Sequence, residues 1–496
     1  MQKIKRAVTD ILLAGLILLC LFLVCRIWFG SYISPEKYDA AVDNVKSFIS
    51  SPFSFFSKGK VNTFSYNMKV LLRPEKIVLN YAANRVELSA SDAQFESVKG
   101  ESYSFLSNML TGEAKITEKT TVSIEEYFQA LKGKSLFINY GNKLDPRLLS
   151  MSIAGVSESE ISGDASEIKD ILIVFNDSVL NNVSVYIPDE KTDSVYKYSV
   201  EYNKAKLDKV VNDFFETRRG GSFSSYSFEL NFHKTEDGGA AKVLFAPTIL
   251  LEVTPKLTNT VAWRDINEFS DEHGLNAPLE NGILREFKIN PMTMRKFTDV
   301  SGSTIFVENF GTLAIDPKGT IEFKAHEGRK GISLFDENDT GVFDVFKTTA
   351  LSVDFISNVC AVFPDDIMEN LQLNSDLTQS HRGSGYYVIN FDYFIDGAPV
   401  LIKSDGEYNH AITMEIENGN LLYFRQYLKK YYKSEETQST MTSISAADKI
   451  VENTDEAELP VYINRMGTCF VDNGSRNLYR KWRFELDGKS EPFIVY

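Results

Sequence analysis

Cysteine is scarce in this sequence and long basic runs are missing. The first shortage limits disulfide bonds, and the second argues against binding to polyanions. Only four cysteines occur among 496 residues. Two of them, Cys20 and Cys25, lie in an apolar N-terminal run, so a disulfide is open only to Cys360 and Cys469, if the fold brings them together. The formal net charge of −15, without a long lysine or arginine run, argues against nucleic-acid binding and against broad adhesion to anionic lipid headgroups.

Motifs that carry catalytic or metal chemistry are missing as well. The five histidines include no pair at the i,i+4 spacing of a helical zinc site, and no G-x-S-x-G elbow occurs. The segment DENDTG (336–341) resembles part of a calcium loop, but the closing acidic ligand would fall at Lys347, so a polar surface turn is favoured. The pattern indicates no catalytic, metal or cofactor site.

A basic and then apolar N-terminus predicts a membrane anchor in residues 1–30. Lysine and arginine cluster at residues 3–6, and the segment from Ala7 to Phe29 reaches the length of a bilayer span if Arg26 extends toward the headgroups. A cleaved signal peptide is the alternative, but no small-x-small cleavage site follows the apolar run. We therefore expect a single-pass protein of the cell membrane with a cytoplasmic N-terminus and an extracytoplasmic bulk.

The part of the chain that follows the anchor reads as strand-rich α+β. Residues 31–265 are predicted to form an N-terminal α+β region of one or two subdomains. The chain length suggests about three domains in total. The runs TFSYNMKVLL (63–72) and SLFINY (135–140) are interpreted as strands. The capping pattern Ser123-x-x-Glu126 predicts a helix between them.

An internal repeat is the most specific feature of the C-terminal half. The segments NFDYFIDG (390–397) and KWRFELDG (481–488) align without a gap, and each ends in an Asp-Gly pair that favours a hairpin. We predict two similar strand–helix–hairpin units at 280–402 and 403–496, after a polar boundary at SDEHGLNAPLENG (270–282). The repeated residues are then those that strands and turns require, and a catalytic role for Asp396 or Asp487 is disfavoured.

Several stretches resemble the YycH (WalH) family, and more distantly its sister YycI. The anchor resembles the start of the family, SLFINYGNKLDPRLL resembles its strand followed by a proline-led helix, and GTLAIDPKGTIEFKA resembles its pair of strands around a glycine turn. LSVDFISNV and YYVINFDYFIDGAPVLI with AITMEIENGNLLYFR resemble an amphipathic helix and the hairpin and strands of its last domain. The segment VCAVFPDD departs from the family pattern, which indicates a divergent member.

The resemblance implies a non-enzymatic regulator without a cofactor. Members of the YycH family cross the membrane once, pair with YycI, and modulate the sensor histidine kinase YycG (WalK) of a two-component system that controls cell-wall metabolism in Gram-positive bacteria. The implied partners of this chain are thus a YycG-type sensor kinase, a YycI-like sister protein and the membrane. Whether the regulation activates or inhibits does not follow from the resemblance.

Such a role needs contact surfaces in and near the bilayer. Within the anchor, Gly15, Leu19, Phe22 and Arg26 fall on one helical stripe, on which Gly15 permits close approach of a partner helix. The alternative is that this stripe faces lipid and the helix only anchors the chain. The second candidate is a juxtamembrane group that contacts lipid or a partner helix, or is buried against the first domain: Phe53, Phe55 and Phe56.

Two other classes of function stay open at this point. The repeated unit also resembles PepSY-like modules, which are found in inhibitory or binding domains, so a secreted protease-inhibitor-like protein or cell-wall enzyme is one alternative. An envelope protein that binds a wall polymer is the other. The missing nucleophile motifs argue against the enzyme.

Overall fold

The computed structural model describes most of the chain from residue 66 to residue 495, and these described residues belong to one compact unit. Positions without a description are 1–65, 82, 176–180, 190, 193, 218–223, 233–241, 253–256, 266–269, 272–273, 276, 336–342, 364–365, 375–384, 405, 456–458, 490 and 496. The helices with both ends inside the described residues are α1 (Phe95–Leu110), α2 (Ile124–Lys132), α3 (Pro146–Ala154), α4 (Glu160–Asp164), α5 (Ala205–Thr217), α6 (Ala277–Glu286), α7 (Val345–Ala361) and α8 (Ser443–Glu452), with short 3₁₀ turns at Ser227–Leu230 and Met368–Asn370.

The N-terminal half is built on a seven-stranded antiparallel sheet, the first sheet. Its strands are β1 (Lys76–Tyr81), β2 (Asn84–Leu88), β3 (Lys115–Val122), β4 (Ser135–Leu144), β5 (Ile168–Val174), β6 (Asn182–Asp189) and β7 (Ser194–Glu201). The spatial order is β2-β1-β4-β5-β6-β7-β3. Strand β4 is buried on both faces: Leu136 and Ile138 join the core below helices α1 and α3, whereas Phe137 joins a second cluster with Tyr127 of α2.

The C-terminal half is built on a 15-stranded mixed sheet, the second sheet. Its strands are β9 (Val243–Phe245), β14 (Arg295–Thr298), β15 (Thr304–Glu308), β16 (Gly311–Ile315), β17 (Thr320–Ala325), β18 (Ile332–Ser333), β19 (Leu371–Asn374), β20 (Tyr386–Ile395), β21 (Ala398–Ser404), β22 (Glu407–Asn409), β23 (Ile412–Glu417), β24 (Asn420–Tyr427), β26 (Val461–Asp472), β28 (Arg480–Leu486) and β29 (Phe493–Val495). The main order runs β14-β15-β16-β17-β24-β23-β20-β21-β26-β28-β29, with β18 beside β24, β19 beside β20, β22 beside β21 and β9 beside β26.

Three smaller sheets complete the strands of the described residues. Their members are β8 (Ser225–Tyr226) with β10 (Leu250–Leu251), β12 (Ser270–Asp271) with β13 (Gly274–Leu275), and β11 (Leu257–Asp265) between β25 (Lys429–Ser439) and β27 (Asn477–Leu478). One large apolar cluster includes residues of both main sheets, among them Leu79 of β1 and Phe391 of β20. The two sheets are therefore parts of one packed body, as expected when apolar side chains exclude water together.

Local sequence signals explain several elements. Ser123 caps α2 by accepting a hydrogen bond from the Glu126 N–H, which confirms the capping prediction. The Asp396-Gly397 pair forms a two-residue hairpin turn between β20 and β21, with both residues at positive φ. The second Asp-Gly pair instead begins a longer loop between β28 and β29. Val495 of the final strand is buried.

One prediction about local structure needs correction. The run TFSYNMKVLL was expected to be a strand, but residues 66–71 are helical, because the buried Met68 and Leu71 recur at helical rather than strand spacing. The segment 270–282 contains β12, β13 and the start of α6, and its place as a boundary between units stays a prediction. Its apolar Leu279 packs inward with Ile283 and Leu284 of the same helix.

Strands from both predicted repeat units pair within the second sheet. Strands β23 and β24 of the second segment lie between β17 and β20 of the first. The division into units at 280–402 and 403–496 stays a prediction. Among the described residues, which exclude 1–65, no helix is long and apolar enough to cross a membrane.

Candidate functional site

The residues predicted as partner contacts lie outside the described part of the chain. Gly15, Leu19, Phe22 and Arg26, together with Phe53, Phe55 and Phe56, all fall within residues 1–65. Their roles therefore stay predictions. The same holds for the DENDTG segment, since residues 336–342 are not described.

Charged and polar side chains concentrate where the first sheet meets the second. We call this region the sheet junction and define it by the side chains that bond across it: Glu75, Asn142 and Arg147 from the N-terminal half, and Asp344, Asn374 and Arg465 from the C-terminal half. Each pair is separated by more than 190 positions in sequence. The sheet junction is the candidate functional site, because any change in the relation of the two sheets must rearrange it.

Arg465 of β26 is the centre of the sheet junction. Its Nη2 donates to Glu75 Oε2 at 2.6 Å, and its Nη1 donates to Asn142 Oδ1 at 2.6 Å and to Glu485 Oε1 at 3.2 Å. Arg483 donates to the same Glu485 oxygen at 2.6 Å. A planar guanidinium with several donors can bridge two sheets in this way, whereas a lysine ammonium would not reach all three acceptors in fixed directions.

The backbone of β4 is shaped to admit this contact. Gly141 takes a φ of 77° in a strand that is irregular between Asn139 and Leu144. A β-carbon at Gly141 would lie 2.1 Å from Glu75 Oε2 and 2.4 Å from Arg465 Nη2. A glycine within a strand often marks such a close approach of other groups. A residue with a side chain at position 141 would collide with the ion pair between Glu75 and Arg465.

The ion pair between Arg465 and Glu75 is nearly buried, and neighbouring cations keep Glu75 ionised. The side chains of Arg465 and Glu75 are 13% and 14% exposed. Burial opposes ionisation of Glu75, but the neighbouring cations Arg465 and Lys76 outweigh it and hold the pKa of Glu75 below its ordinary value. Glu75 is therefore a carboxylate at neutral pH and neutralises the arginine.

A chain of hydrogen bonds continues from the centre into the second sheet. The Asn142 amide donates to Asn374 Oδ1 at 3.0 Å, and the Asn374 amide donates to Asp392 Oδ2 at 2.8 Å. The other Asp392 oxygen lies 2.8 Å from Nδ1 of His410. Asp392 is 3% exposed, and although burial opposes its ionisation, His410 and the Asn374 amide lower its pKa.

A third contact ties the start of α7 to α3. Asp344 caps α7 by accepting from the Lys347 N–H at 2.9 Å, and its second oxygen accepts from Arg147 Nη1 at 2.6 Å. Arg147 is also bonded to Asp145, the cap of α3, and its guanidinium lies 5.1 Å from the ring centre of Phe346. One arginine therefore joins the N-termini of two helices from different halves, where carboxylates are favoured by the helix dipole.

The sheet junction is closely packed. The cavity beside Arg465 holds about 10 Å³, which is the space of about one water molecule. The residues 66–495 that are described contain no group of three or more histidine, cysteine, aspartate or glutamate side chains placed to hold a metal ion. Cys360 and Cys469 are free and buried, and burial raises the pKa of each thiol to about 12.

Sequence reasoning did not single out the residues of the sheet junction. Glu75, Asn142 and Arg465 each have polar neighbours in sequence and do not stand out, and no motif relates positions so far apart. The available signals were weak: a glycine that interrupts a strand at 141, and an arginine within the apolar run VYINRMGTCF (461–470). Neither signal indicates which distant residue would be the bonding partner.

The fold and the sheet junction define a class of protein: a strand-rich α+β scaffold in which two main sheets share a core and are joined by buried ion pairs. A solved structure with a similar fold is the crystal structure of YycH from Bacillus subtilis. The two are 12% identical with a TM-score of 0.55, over 86% of this chain and 96% of that one. This likeness shows a YycH-like fold. A comparison of the sequence with protein-family models finds no match, and a comparison with curated proteins finds none.

Proposed function

We propose that this protein is a non-enzymatic, membrane-anchored accessory that regulates the sensor histidine kinase of a two-component system. The single observation that carries the proposal is the YycH-like fold, in a likeness that covers 86% of the chain. Several stretches of the sequence, including the N-terminal anchor, resemble the YycH family, and this resemblance implies the same role. Fold alone is compatible with many activities, so the proposal needs a direct test.

The finer form of the proposal names the partners and their place of contact. The sensor kinase is of the YycG (WalK) type, the sister protein is YycI-like, and the anchor helix meets partner helices through Gly15, Leu19, Phe22 and Arg26. Small residues let helix backbones approach closely in lipid, where packing rather than hydrophobicity drives association. The bulk of the chain then lies outside the cytoplasm near the cell wall.

Regulation requires that the protein distinguish two states of the kinase. An accessory that binds both signalling states equally shifts nothing, however tightly it binds. The sheet junction joins the two halves of the described residues into one body. Such a body transmits a displacement of one surface to the other instead of absorbing it in a flexible linker.

Photocrosslinking in native membranes tests the proposal. A photoreactive residue at Leu19 or Phe22 should trap a sensor histidine kinase or a smaller single-pass sister protein, identified by mass spectrometry. The matched control is Val24, which lies about 180° from Gly15 on a helix of 3.6 residues per turn, and should trap mostly lipid. Capture of lipid alone from all three positions would overturn the kinase proposal and leave the anchor a passive one.

A further inference from the structure

The short strand β19 reaches the N-terminal half through two of its side chains. Gln372 donates to the backbone carbonyl of Arg73 at 2.7 Å, and Asn374 accepts from the Asn142 amide at 3.0 Å. Within the second sheet, β19 pairs with β20 in a register that sets Gln372 opposite Asp392. Whatever holds β19 on β20 therefore also contributes to the connection between the two halves.

Asp392 of β20 fixes the direction of the hydrogen bonds that reach β19. An ionised carboxylate only accepts, so the Asn374 amide nitrogen points to Asp392 and the Asn374 oxygen turns to Asn142. The Asn142 oxygen in turn accepts from Arg465. All three bonds thus run in one direction, from a cation at one end to the Asp392 carboxylate at the other.

His410 lies against the second oxygen of this carboxylate. Its Nδ1 is 2.8 Å from Asp392 Oδ1, and its side chain is 37% exposed, whereas the side chain of Asp392 is almost fully buried. Burial opposes the ionisation of Asp392, and the charge of His410 is the largest of the effects that lower the pKa of Asp392. The imidazole is therefore in contact both with solvent and with the series of bonds that ends at Asp392.

The imidazole is the group at this place that changes its charge near neutral pH. On the described strands that flank His410, the other charged side chains are Lys403 of β21, Glu407 of β22, Glu415 and Glu417 of β23 and Arg425 of β24, and Arg483 of β28 also lowers the pKa of Asp392. Among these residue types, histidine alone has an ordinary pKa, about 6.5, that lies between pH 5 and pH 8.

We propose that His410 makes the sheet junction responsive to pH near neutrality, because the charge of its imidazole sets how firmly Asp392 holds β19. The imidazolium offsets the buried carboxylate. A neutral imidazole can still donate from Nδ1, but it leaves the charge of Asp392 with less compensation, which is costly for a buried group. The inference does not depend on a role in kinase regulation.

The sign of the response follows from the pairing. An ionised carboxylate favours the charged form of the imidazole beside it, so folding favours proton uptake at His410. The stabilisation is therefore fully present below the ordinary histidine value of about 6.5 and is lost as the pH rises further. This direction is opposite to that expected for a paired carboxyl group in acid.

Urea unfolding of the full chain in mild detergent, at pH 6 and at pH 8, tests this sign. The unfolding midpoint should be higher at pH 6. His410→Gln keeps a donor but no charge, so it should lower the midpoint at pH 6 and reduce the decline toward pH 8. His410→Arg keeps a cation at both pH values and should also reduce the decline.

The matched control is a second histidine of the same sheet. His326 Nε2 lies 3.0 Å from the Thr312 hydroxyl, so His326→Gln exchanges one histidine for glutamine at a contact with a neutral group. This variant should keep the decline of the unchanged protein between pH 6 and pH 8. Circular dichroism at pH 6 checks that each variant is folded.

Hydrogen exchange locates the effect within the fold. After correction for the pH dependence of intrinsic exchange, a fragment that contains β19 should exchange about threefold faster at pH 8 than at pH 6, because a partly exposed ion pair contributes modestly. A fragment that contains β17 should show no such change. In His410→Gln, the corrected rate of the β19 fragment should be the same at both pH values.

Three results would each overturn the proposal. The first is an equal decline of the unfolding midpoint in the unchanged protein and in His410→Gln. The second is corrected exchange of β19 that does not depend on pH in the unchanged protein. The third is a decline that His326→Gln abolishes, which would assign the pH response to His326.

Discussion

At the residue scale, Arg465 carries more of the sheet junction than any other side chain described above. Three acceptors from three strands or strand ends converge on its guanidinium, two of them from the other half of the chain. Replacing one partner of a nearly buried ion pair leaves the other charge without compensation, which costs more than the pair itself contributes. The residue is thus structural, and its loss should be felt in both sheets.

We expect Arg465→Met to lower the free energy of unfolding by about 3 kcal/mol, because Glu75 would remain buried and charged. Glu75→Gln alone should cost less, and the double variant should cost less than the sum of the two single ones. Urea unfolding of the four proteins, followed by circular dichroism, measures this cycle. Additive costs would show that Arg465 and Glu75 do not stabilise the fold as a pair.

At the element scale, the hairpin turns show what the internal repeat means. The Asp396-Gly397 turn closes β20 onto β21 and also lies against the N-terminal half, since a β-carbon at Gly397 would meet the Ser89 β-carbon at 2.8 Å. Asp396 accepts from Lys433 and from Arg480, which begins β28. Gly488, its counterpart 91 positions later, has φ of 70° and open space around it. The two Asp-Gly pairs share a sequence but differ in their surroundings.

The repeat therefore provides a matched pair of variants. Gly488→Ala should cost about 1 kcal/mol, because a left-handed backbone strains a side chain with a β-carbon. Gly397→Ala should cost about 1–3 kcal/mol more, because the added methyl also collides with Ser89. Thermal or urea unfolding of both variants measures the difference, and equal costs would show that the first turn does not press against the N-terminal half.

Elements with local signals were predictable from sequence, and contacts between distant elements were not. The capped helix after Ser123, the strand and proline-led helix around Asp145, and the Asn418-Gly419 turn all follow from neighbouring residues. Residues 66–71 were misread because a short apolar run fits either period. The sheet junction escaped because Arg465 and Glu75 are 390 positions apart, and nothing local relates them.

At the scale of the whole molecule, the ionised carboxylates of the sheet junction link its integrity to pH. Glu75 and Asp392 both have a lowered pKa, because nearby cationic or donor groups outweigh burial. A carboxyl whose folded pKa is depressed stabilises the fold fully above its ordinary pKa and loses that contribution as the pH falls through the folded pKa. Acid should therefore loosen the connection between the two sheets.

We expect the free energy of unfolding of the full chain to fall as the pH is lowered below about 4.3, the ordinary glutamate value, by up to about 1.4 kcal/mol per pH unit for each such carboxyl. Glu75→Gln removes one of these groups, so the variant should be less stable at pH 7 and should show a shallower decline in acid. Urea unfolding at a series of pH values measures both slopes. Parallel declines of the two proteins would mean that Glu75 is not held ionised by Arg465, and the electrostatic account of the sheet junction would fail with it.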